Sequence, residues 1–361
     1  MKIAILGTRG IPARYGGFET FAEELSRRLV ERGHQVSVYC RRRHGQPYYL
    51  GVRLRYLPAV PHKYLETITH TALATLDLLA RRPDAALYCN AANALFTLLP
   101  RLAGIPVALN VDGIERRRRK WNRLARAWYR FSERLATWLP HAVVSDARTI
   151  ARYYRERYGK PTHYIPYGAE VGKAPAGETL RALGLVPGGY FLYVSRMEPE
   201  NNALLVRQAF ERVATDLRLV MVGDAPYARR YIARVRDTRD PRILFPGAIY
   251  GQGYRELGSH CFAYIHATEV GGTHPALVEA MGRGALVLYL NTPENAEVAG
   301  EAGIPFEPQE LAEKLRLALR LGPDERERYR RRAQERVRER YDWERITDDY
   351  ERLLAGLSRR S

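Results

Sequence analysis

The chain has 361 residues, of which 46% are hydrophobic, and a formal net charge of +18 at pH 7. This length predicts two domains of roughly 150–190 residues each, and the apolar share excludes a disordered or fibrous protein. No stretch of about 18 uncharged apolar residues is present, so we expect no membrane-spanning segment. The three cysteines are far apart and odd in number. They give no disulfide or zinc-ligand pattern and are typical of a cytoplasmic protein.

The positive charge is concentrated in the first half of the chain. Residues 1–170 contain 29 Lys and Arg against 13 Asp and Glu, whereas residues 171–361 contain 29 against 27. One half is therefore expected to face an anionic partner, either anionic lipid or nucleic acid. An arginine-rich proteome is a third explanation, but it does not account for an excess in one half. The nearly neutral second half argues against a nucleic-acid-binding protein, which would spread basic residues along a groove.

Short β-rich runs alternate with helical stretches, which predicts a parallel α/β architecture. The opening residues MKIAILG are interpreted as a strand and not as a signal peptide. An amphipathic helix is predicted over 17–33. The strands predicted in the first half are 2–7, 35–40, 52–58, 85–90, 106–111, 142–146 and 162–166.

A Gly- and Pro-rich stretch at 166–177 interrupts the alternation and is predicted to be a linker. The pattern then restarts, with strands predicted at 190–196, 218–223, 242–247, 261–267, 285–291 and 304–306. We therefore predict two Rossmann-like domains, residues 1–170 and 171–342. A last helix over 343–357 carries an apolar stripe made of Trp343, Ile346, Tyr350, Leu353 and Leu354.

The turn after the first strand, GTRGIPARYGGFETFAEEL, is rich in glycine. Small residues at a strand-to-helix junction let backbone N–H groups approach a phosphate, although a tight turn needs glycine in any case. The spacing matches neither the dinucleotide motif GxGxxG nor the phosphate-loop ending GK[ST]. An ordinary NAD site and an ATPase site are therefore excluded. The glycines of this turn are Gly7, Gly10, Gly16 and Gly17.

In the second half, polar residues and glycines stand where predicted parallel strands end, and open α/β sheets bind ligands at that edge. Arg196 is suited to hold a diphosphate through two hydrogen bonds. The loop EVGGTHPALVEAMGRG offers backbone N–H groups before a helix, and Glu279 inside that helix is suited to two ribose hydroxyls. The other residues of these strand ends are Gly223, Gly247, His266, Gly271, Gly272 and Thr273.

Four segments, GTRGIPARYGGFETF, VDGIERRRRKW, SRMEPENN and VGGTHPALVEAMG, together resemble the retaining glycosyltransferases of family 4. Within that family they look like the bacterial rhamnosyltransferase-like enzymes of polysaccharide assembly. The resemblance covers nearly the whole chain. It implies the α/β GT-B fold, in which two Rossmann-like domains face each other across a cleft and a C-terminal crossover helix braces the first domain. The nucleotide sugar is then expected in the second domain and the acceptor on the first.

The resemblance also implies roles for individual residues. Arg196 matches the family's phosphate-binding arginine, and Glu279 matches the second glutamate of its E-x7-E motif, which holds the ribose. Gly16, Gly17 and Glu19 match its GGxE segment, which faces the donor phosphates and the acceptor. The residues assigned to the acceptor side are Tyr15, Phe18, Glu19 and Asp112. Residues 245–250 stand where the family contacts the base, and Gly247, Ile249 and Tyr250 among them are assigned to donor binding.

Two positions depart from the family's pattern. The first glutamate of its motif falls on Gly271, with Glu269 displaced by two residues, and the lysine that follows its arginine is Asn201. These changes remove groups that contact the donor, which argues against a common glucose donor and is compatible with a deoxy sugar. Asn201 and His274 are kept among the donor-binding residues.

Asp112 ends the strand predicted at 106–111 and is suited to accept a hydrogen bond from the acceptor hydroxyl or the donor sugar. The alternative is an aspartate that caps a turn before Gly113. In retaining members of the family the leaving phosphate accepts the acceptor's proton, so Asp112 need not act as a full base. The residues assigned to catalysis are Asp112, Arg196 and Glu279. The sequence has no DxD-type carboxylate pair in a loop, and we expect no metal to be required.

The densest basic stretch is RRRRKWNRLARAWYRF at 116–131. Its apolar residues fall largely on one side of a predicted helix, with arginines beside or opposite them. Tryptophans interleaved with basic residues are typical of an interfacial helix on anionic lipid, whereas a core helix with a solvated basic face is the alternative. The residues assigned to the membrane surface are Arg116, Arg117, Arg118, Arg119, Lys120, Trp121, Arg126 and Trp128.

Together these features predict a cytoplasmic, peripherally membrane-associated hexosyltransferase of the EC 2.4 class. Its donor is expected to be a UDP- or dTDP-linked sugar, rhamnosyl or other deoxyhexosyl groups included. Its acceptor is expected to be a glycan or polyprenyl-diphosphate-linked molecule. The alternatives are a sugar-nucleotide epimerase of GT-B fold and a non-catalytic nucleotide-sugar-binding paralogue.

Overall fold

The computed structural model describes residues 1–14, 16–62, 64–119, 121–225 and 228–359. They form two compact units. The first comprises Met1–Tyr167 and Trp343–Ser361, and the second comprises Gly168–Asp342. Each unit is built on a largely parallel sheet with helices, so the predicted α/β class is confirmed.

The first unit contains an eight-stranded sheet. Its strands are β1 (Lys2–Leu6), β2 (Gln35–Cys40), β3 (Tyr48–Tyr49), β4 (Val52–Tyr56), β5 (Ala85–Cys89), β6 (Val107–Asn110), β7 (Ala142–Ser145) and β8 (His163–Tyr164). They lie in the order β3-β4-β2-β1-β5-β6-β7-β8, and only the β3–β4 pair is antiparallel. All residues of β5, β6 and β7 are buried, which explains their continuous apolar runs. The helices are α1 (Gly17–Glu31), α2 (Glu66–Arg81), α3 (Leu98–Leu102), α4 (Arg123–Ala136) and α5 (Arg148–Tyr158).

The second unit contains a six-stranded parallel sheet. Its strands are β9 (Tyr190–Val194), β10 (Arg218–Val222), β11 (Ile243–Gly247), β12 (Ala263–His266), β13 (Val287–Leu290) and β14 (Gly303–Phe306), in the order β11-β10-β9-β12-β13-β14. Its helices are α6 (Glu178–Ala182), α7 (Ala203–Glu211), α8 (Arg229–Arg236), α9 (Gly251–His260), α10 (Pro275–Gly282), α11 (Pro293–Ala299), α12 (Leu311–Arg320) and α13 (Pro323–Arg340). Short 3-10 helices lie at Ala91–Thr97, Glu115–Arg117, Pro199–Asn201, Gly300–Ala302 and Pro308–Glu310.

The last helix, α14 (Trp343–Ser358), belongs to the first unit and packs there against α1. Its apolar stripe enters the core cluster that contains Phe21, because residues three and four apart share one helix face. Arg32, which directly follows α1, forms ion pairs with Glu344 and Glu351 of α14, each at 2.8 Å. The Tyr350 hydroxyl accepts a hydrogen bond of 2.9 Å from Nδ2 of Asn110, at the end of β6.

Replacing Tyr350 with phenylalanine removes the acceptor of this buried hydrogen bond. We expect Tyr350→Phe to lower the free energy of unfolding by about 1–3 kcal/mol, because the Asn110 amide is left buried without that partner. Denaturant unfolding followed by circular dichroism measures this change. Arg352→Ala, on the exposed face of the same helix, is the control and is expected to change stability by less than about 0.5 kcal/mol. Equal effects of the two changes would contradict the role given to Tyr350.

Candidate functional site

The carboxyl edge of the second unit's sheet contains a point where the strand order reverses. The chain runs outward from β9 to β10 and β11, and then returns to place β12 on the other side of β9. Open α/β sheets bind ligands at the carboxyl ends of the strands beside such a reversal. The loops that follow β9 and β12 therefore define a candidate ligand site. Arg196 lies in the first of these loops, and His266 is the last residue of β12, directly before the second loop.

The loop after β9 is held by its own backbone and side chains. The Arg196 carbonyl accepts hydrogen bonds from Nδ2 of Asn201 at 2.6 Å and from the N–H of Glu198 at 2.7 Å. The hydroxyl of the buried Tyr193 donates to the Asn201 carbonyl at 2.7 Å. The Arg196 guanidinium is 27% exposed and lies 3.9 Å from the Glu198 carboxylate. The sequence-predicted Asn201 thus shapes the loop that presents Arg196.

The loops after β9 and β12 are joined to each other. The N–H of Glu269 donates to the Glu200 carbonyl at 3.0 Å. Nδ2 of Asn202 donates to the Ala267 carbonyl at 2.9 Å and to a carboxylate oxygen of Glu269 at 3.0 Å. Glu269 therefore links the two loops.

The glycine-rich turn before α10 is buried together with the histidines on both sides of it. Nε2 of His266 lies 2.7 Å from Nδ1 of His274, and the His266 ring stacks on Tyr264. Burial lowers the pKa of His266 to about 3, so this imidazole is neutral at physiological pH. Gly271, Gly272 and Thr273 form a turn directly before α10. The helix begins at Pro275, which has no N–H, and the Leu277 and Val278 N–H groups donate to the His274 carbonyl, so N–H groups for a ligand would come from the turn itself. This arrangement is typical of anion binding.

Glu279 lies on α10 and interacts with a tyrosine of the neighbouring helix α9. The Tyr254 hydroxyl is hydrogen-bonded to the Glu279 carboxylate, and burial together with the charge of Glu279 raises the pKa of Tyr254. Arg283 lies over the Tyr254 ring, 5.6 Å from its centroid. Tyr254 therefore fixes the position of the carboxylate.

The remaining predicted donor residues lie at the ends of β10 and β11. Gly223 has a φ of 144°, and a Cβ there would overlap the Ser195 carbonyl, so glycine is required by the close approach of two strand ends. Gly247 has a φ of 83° and open space around it. Ile249 packs against the core of the second unit, and Tyr250 is 45% exposed at the start of α9.

In the first unit, the glycine-rich turn packs tightly against two strands. A Cβ on Gly7 would overlap the Cys89 carbonyl, and a Cβ on Gly10 would overlap Cys40. Both glycines have positive φ values, so structure alone explains them. Gly16 is extended at the N-cap of α1, and Gly17 is the first residue of that helix.

The two described acceptor-side residues of this turn pack against the first unit. Glu19 is buried and accepts a hydrogen bond of 2.8 Å from the Arg9 N–H. Burial raises the pKa of Glu19, while that hydrogen bond and nearby arginines oppose the rise. The Phe18 ring lies edge-on to Tyr167, with 6.2 Å between the ring centroids. The sequence-predicted Tyr15 lies outside the described residues.

Asp112 follows β6 in a strained conformation. Its φ is 56°, which is uncommon for a residue other than glycine. Its N–H donates to Oδ1 of Asn110 at 3.0 Å, and its carboxylate accepts a hydrogen bond of 3.3 Å from Tyr167. Burial and the charge of Glu115 raise the pKa of Asp112, while Arg118 and the Tyr167 hydroxyl oppose the rise. Left-handed backbone at an aspartate occurs in turns as well as at functional sites.

The chain matches two protein-family models. Residues 16–168 match a glycosyl transferase 4-like domain, and residues 188–320 match the glycosyl transferases of group 1. The chain is therefore a glycosyltransferase that combines a glycosyl transferase 4-like domain with a group 1 domain. The predicted enzyme class is therefore confirmed, and both matched segments contain residues of the candidate sites. No curated protein matches the glycosyltransferase by sequence.

Solved structures share the fold of the glycosyltransferase along its whole length. HepE of Anabaena, in complex with UDP and glucose, is 16% identical with a TM-score of 0.80 over 99% of this chain and 100% of that chain. Sucrose-phosphate synthase of Thermosynechococcus elongatus is 17% identical, with a TM-score of 0.83 over 100% of both chains. WaaG, a glycosyltransferase involved in lipopolysaccharide biosynthesis, is 16% identical, with a TM-score of 0.72 over 99% and 100%. The predicted GT-B fold is thereby confirmed.

The basic segment of the glycosyltransferase differs from its prediction in one respect. Arg118 is buried and forms an ion pair of 2.5 Å with Glu115, so its assignment to the surface is wrong. Arg118 directly follows the 3-10 turn at Glu115–Arg117, and its side chain points inward to Glu115. Arg116 is half-buried and bonds to Glu133 and to the Tyr153 hydroxyl.

The other residues of this segment lie nearer the surface. Arg117, Arg119 and Arg126 are exposed, whereas Trp121 and Trp128 are half-buried. Lys120 lies outside the described residues. Three large apolar side chains in and just after α4 are exposed, by 79%, 51% and 61%: Leu124, Phe131 and Trp138.

Two tyrosines near the sites of the glycosyltransferase were missed by sequence reasoning. Tyr254 is one turn into α9 and has no distinguishing signal in the sequence. Tyr129 is buried in α4, its ring is tilted against that of Trp121 with 5.4 Å between the centroids, and it lies close to the charges of Glu115 and Asp112. Tyr129 and Glu133 are both buried. Their spacing of four residues could have indicated that they lie on the same face of the helix.

The described residues of the glycosyltransferase contain no helix of the length and apolarity needed to cross a bilayer. Within the same residues, no group of three or more His, Cys, Asp and Glu side chains is arranged to hold a metal ion.

Proposed function

We propose that the glycosyltransferase transfers a hexosyl group, with retention of configuration, from a nucleotide diphosphate sugar to a glycan or polyprenyl-diphosphate-linked acceptor. The proposed donors are UDP- or dTDP-linked, with rhamnosyl and other deoxyhexosyl groups included, and the proposed process is cell-surface polysaccharide synthesis. The observation that carries the proposal is the pair of joined loops beside the β9–β12 reversal. One loop presents Arg196, and the other presents the buried glycine turn before α10.

In the proposed donor site, different elements bind the diphosphate, the ribose and the base of the nucleotide. The diphosphate binds to the Arg196 guanidinium and to the N–H groups of the turn that precedes α10, because both bind anions. The ribose hydroxyls donate hydrogen bonds to the Glu279 carboxylate, which Tyr254 holds in place. The base contacts Gly247 at the end of β11 and Ile249 and Tyr250 after it. The UDP complex of HepE supports a uridine nucleotide as one candidate.

In the proposed reaction, the bond between the sugar C1 and the diphosphate oxygen breaks and the acceptor oxygen bonds to C1 from the same face. Negative charge grows on the leaving phosphate, where Arg196 and the loop N–H groups stabilise it more in the transition state than in the bound donor. The proton of the acceptor hydroxyl passes to that phosphate. Asp112 is proposed to accept a hydrogen bond that orients the acceptor hydroxyl before attack.

This role of Asp112 predicts a pH dependence. Only the ionised carboxylate accepts the hydrogen bond fully, and the raised pKa of Asp112 makes protonation begin at a higher pH than for an ordinary carboxyl group. We therefore expect kcat/KM to fall as the pH is lowered from neutrality, and Asp112→Asn to lose this acid limb and about 10-fold or more of the rate. A pH–rate profile of both proteins measures this. An unchanged acid limb in Asp112→Asn would assign the titration to another group.

We also propose that α4 lies on an anionic membrane surface on the cytoplasmic side. The exposed Leu124 and Phe131 of this helix stand among exposed arginines, which is the composition of an interfacial helix. This position would bring the first unit to a lipid-linked acceptor. Arg118 does not belong to this surface because it is buried.

The stereochemistry of the product tests the proposed function. The protein is incubated with UDP-, dTDP- and GDP-sugars and a lipid extract as acceptor, and the new glycosidic bond is assigned by NMR. We expect one donor class to be used and the anomeric configuration of that donor to be kept. An inverted product would overturn the retaining mechanism, and the absence of transfer from every donor would count against the proposed donors.

A further inference from the structure

A pocket lies at the carboxyl edge of the first unit's sheet, at a place to which the sequence pattern assigned no function. It has a volume of about 340 Å³ and is formed where β2 ends and the chain turns into β3. Three consecutive basic residues line it, Arg42, Arg43 and His44, together with the polar side chains of Gln46 and Tyr56. Among the described residues that line the pocket, none is acidic. The pocket is therefore positively charged.

Backbone hydrogen bonds fix both ends of the loop that carries the basic residues. The Arg41 N–H donates to the Arg9 carbonyl at 3.1 Å, and the Leu54 N–H donates to the Pro47 carbonyl at 2.8 Å. The first bond joins the loop to the turn after β1, and the second joins it to β4. The sheet therefore determines where the three basic residues stand, although they are exposed.

Aromatic rings of the β3–β4 pair, and not carboxylates, lie against two of these basic side chains. The Arg43 guanidinium lies over the Tyr56 ring, 5.0 Å from its centroid, and the His44 ring lies edge-on to Tyr49, with 5.6 Å between the centroids. Within the part of the chain that the structure describes, Arg42 and Arg43 form no ion pair. A ring holds a guanidinium by its face and leaves its N–H groups available to an anion.

The sequence around the pocket explains why its charge is not compensated. No Asp or Glu occurs between Glu31 and Glu66, whereas this stretch contains seven Lys and Arg. Two of its arginines pair with acids of α2, Arg41 with Glu66 at 3.4 Å and Arg55 with Asp77 at 2.7 Å. The basic residues of the pocket belong to the charge that these acids leave uncompensated, and they contribute to the excess in the first half of the chain.

The hydrogen-bond donors of the pocket indicate which anion it fits. The guanidinium groups of Arg42 and Arg43 offer more N–H donors than the oxygens of one carboxylate can use. A phosphate or diphosphate ester has further oxygens, and its geometry matches the planar guanidinium fork. Gln46 and Tyr56 are able to donate as well. The donor set therefore favours a phosphate or diphosphate over a uronate.

The place of the pocket in the sheet relates it to the acceptor. β2 and β4 are parallel to each other and, through β1 and β5, to β6, so their carboxyl ends lie on the edge at which Asp112 follows β6. Three strand spacings separate β2 from β6, which is about 14 Å at the usual distance between strands. This distance is longer than one sugar ring. An anionic group bound in the pocket is therefore at least one sugar away from a hydroxyl at Asp112.

We propose that this pocket binds a phosphate or diphosphate group of the acceptor. The inference rests on the proposed function, since that function places the acceptor on the first unit. The substrate class is a glycan whose phosphate or diphosphate ester lies at least one sugar away from the hydroxyl that reacts. A lipid-linked oligosaccharide diphosphate and a phosphorylated glycan share this chemistry. Binding of the anion positions the far end of the acceptor while its hydroxyl is oriented for attack.

A titration with inorganic diphosphate tests the pocket directly. Every protein in the series carries Arg196→Ala, so that diphosphate binding at the proposed donor site is weakened. Adding Arg42→Gln and Arg43→Gln is expected to lower the affinity for diphosphate at least about 10-fold, because hydrogen bonds to a charged group are lost. Adding Arg42→Lys and Arg43→Lys instead should recover part of the affinity, since the charge remains and the fork is lost. Isothermal titration calorimetry measures these affinities.

A matched control removes the same charge from another part of the first unit. Arg152 and Arg155 are exposed on α5, and their replacement by glutamine should change the affinity for diphosphate by less than about twofold. Equal losses in the two glutamine pairs would show a general charge effect and overturn the inference. Glucuronate that binds as tightly as diphosphate would overturn the assignment to phosphate chemistry.

Transfer assays identify the source of the phosphate group. The acceptor extract is divided into a lipid and a water-soluble fraction, and the fraction that supports transfer shows whether the acceptor is lipid-linked. In otherwise wild-type protein, Arg42→Gln with Arg43→Gln should raise KM for that fraction about 10-fold and leave KM for the nucleotide sugar unchanged. Weaker binding to phosphatidylglycerol vesicles with an unchanged KM for the acceptor would assign the pocket to bilayer headgroups and overturn the inference.

Failure of this inference is distinguishable from failure of the proposed function. If no nucleotide sugar reacts, the proposed function fails, whereas the diphosphate titration still shows whether the pocket binds phosphate. Normal transfer together with equal diphosphate affinity in the pocket variant and its control would overturn the inference and leave the proposed function intact. All of these changes to the pocket and to α5 replace exposed side chains, so the variants should unfold within a few degrees of the unchanged protein.

Discussion

Arg196→Ala is expected to lower kcat by about 10²- to 10³-fold, the usual cost of removing one preorganised donor from a site where charge develops. The guanidinium would no longer compensate the charge of the departing diphosphate. Arg196→Lys should recover only part of the rate, because an ammonium group is a point charge and cannot form two parallel hydrogen bonds. Initial rates with the best nucleotide sugar measure both changes.

The control for Arg196 is another arginine of the same unit. Arg218 is exposed at the amino end of β10, away from the carboxyl edge of the sheet. Arg218→Ala should leave the rate unchanged, and all three variants should unfold at the temperature of the wild type within a few degrees. Full activity in Arg196→Ala would remove this residue from the donor site.

Removing three exposed arginines of α4 is expected to weaken binding to anionic vesicles by about two orders of magnitude. The triple change is Arg123→Gln, Arg126→Gln and Arg130→Gln. Each basic residue near an anionic surface contributes about 1 kcal/mol, so three contribute about 3 kcal/mol. Co-sedimentation with vesicles of phosphatidylglycerol and phosphatidylcholine measures the loss, which should shrink at high salt.

The matched control for α4 removes the same charge from the second unit. Arg328, Arg331 and Arg332 are exposed on α13, and their replacement by glutamine should reduce vesicle binding much less. Affinity for the nucleotide sugar should remain unchanged in both triple variants. Equal loss in the two triple variants would show a general charge effect and would contradict the role of α4.

Much of the second unit's site could be predicted from the sequence because its signals are local. Arg196 and the glycine turn before α10 each follow a strand, and parallel strands bring their carboxyl ends to one edge. Strand periodicity and the position of glycines were therefore sufficient to locate them. The roles of these residues remain proposals.

What could not be predicted depends on partners that are distant in sequence or on the exact direction of side chains in short turns. Asn110 and Tyr350 are 240 positions apart and meet only in the folded chain. The burial of Arg118 follows from a short 3-10 turn that helical periodicity does not indicate. A Cβ on Gly271 would overlap the His274 ring, which depends on a side-chain direction inside a turn. In each case tertiary packing decides what a local pattern leaves open.

The most direct test of a nucleotide diphosphate donor is a calorimetric titration of the whole chain with UDP-, dTDP- and GDP-sugars. We predict saturable one-site binding of sugars linked to one base, competition by the matching free nucleoside diphosphate, and loss of both in Glu279→Ala. Failure of all three nucleotides to bind, with the protein folded, would contradict the donor site.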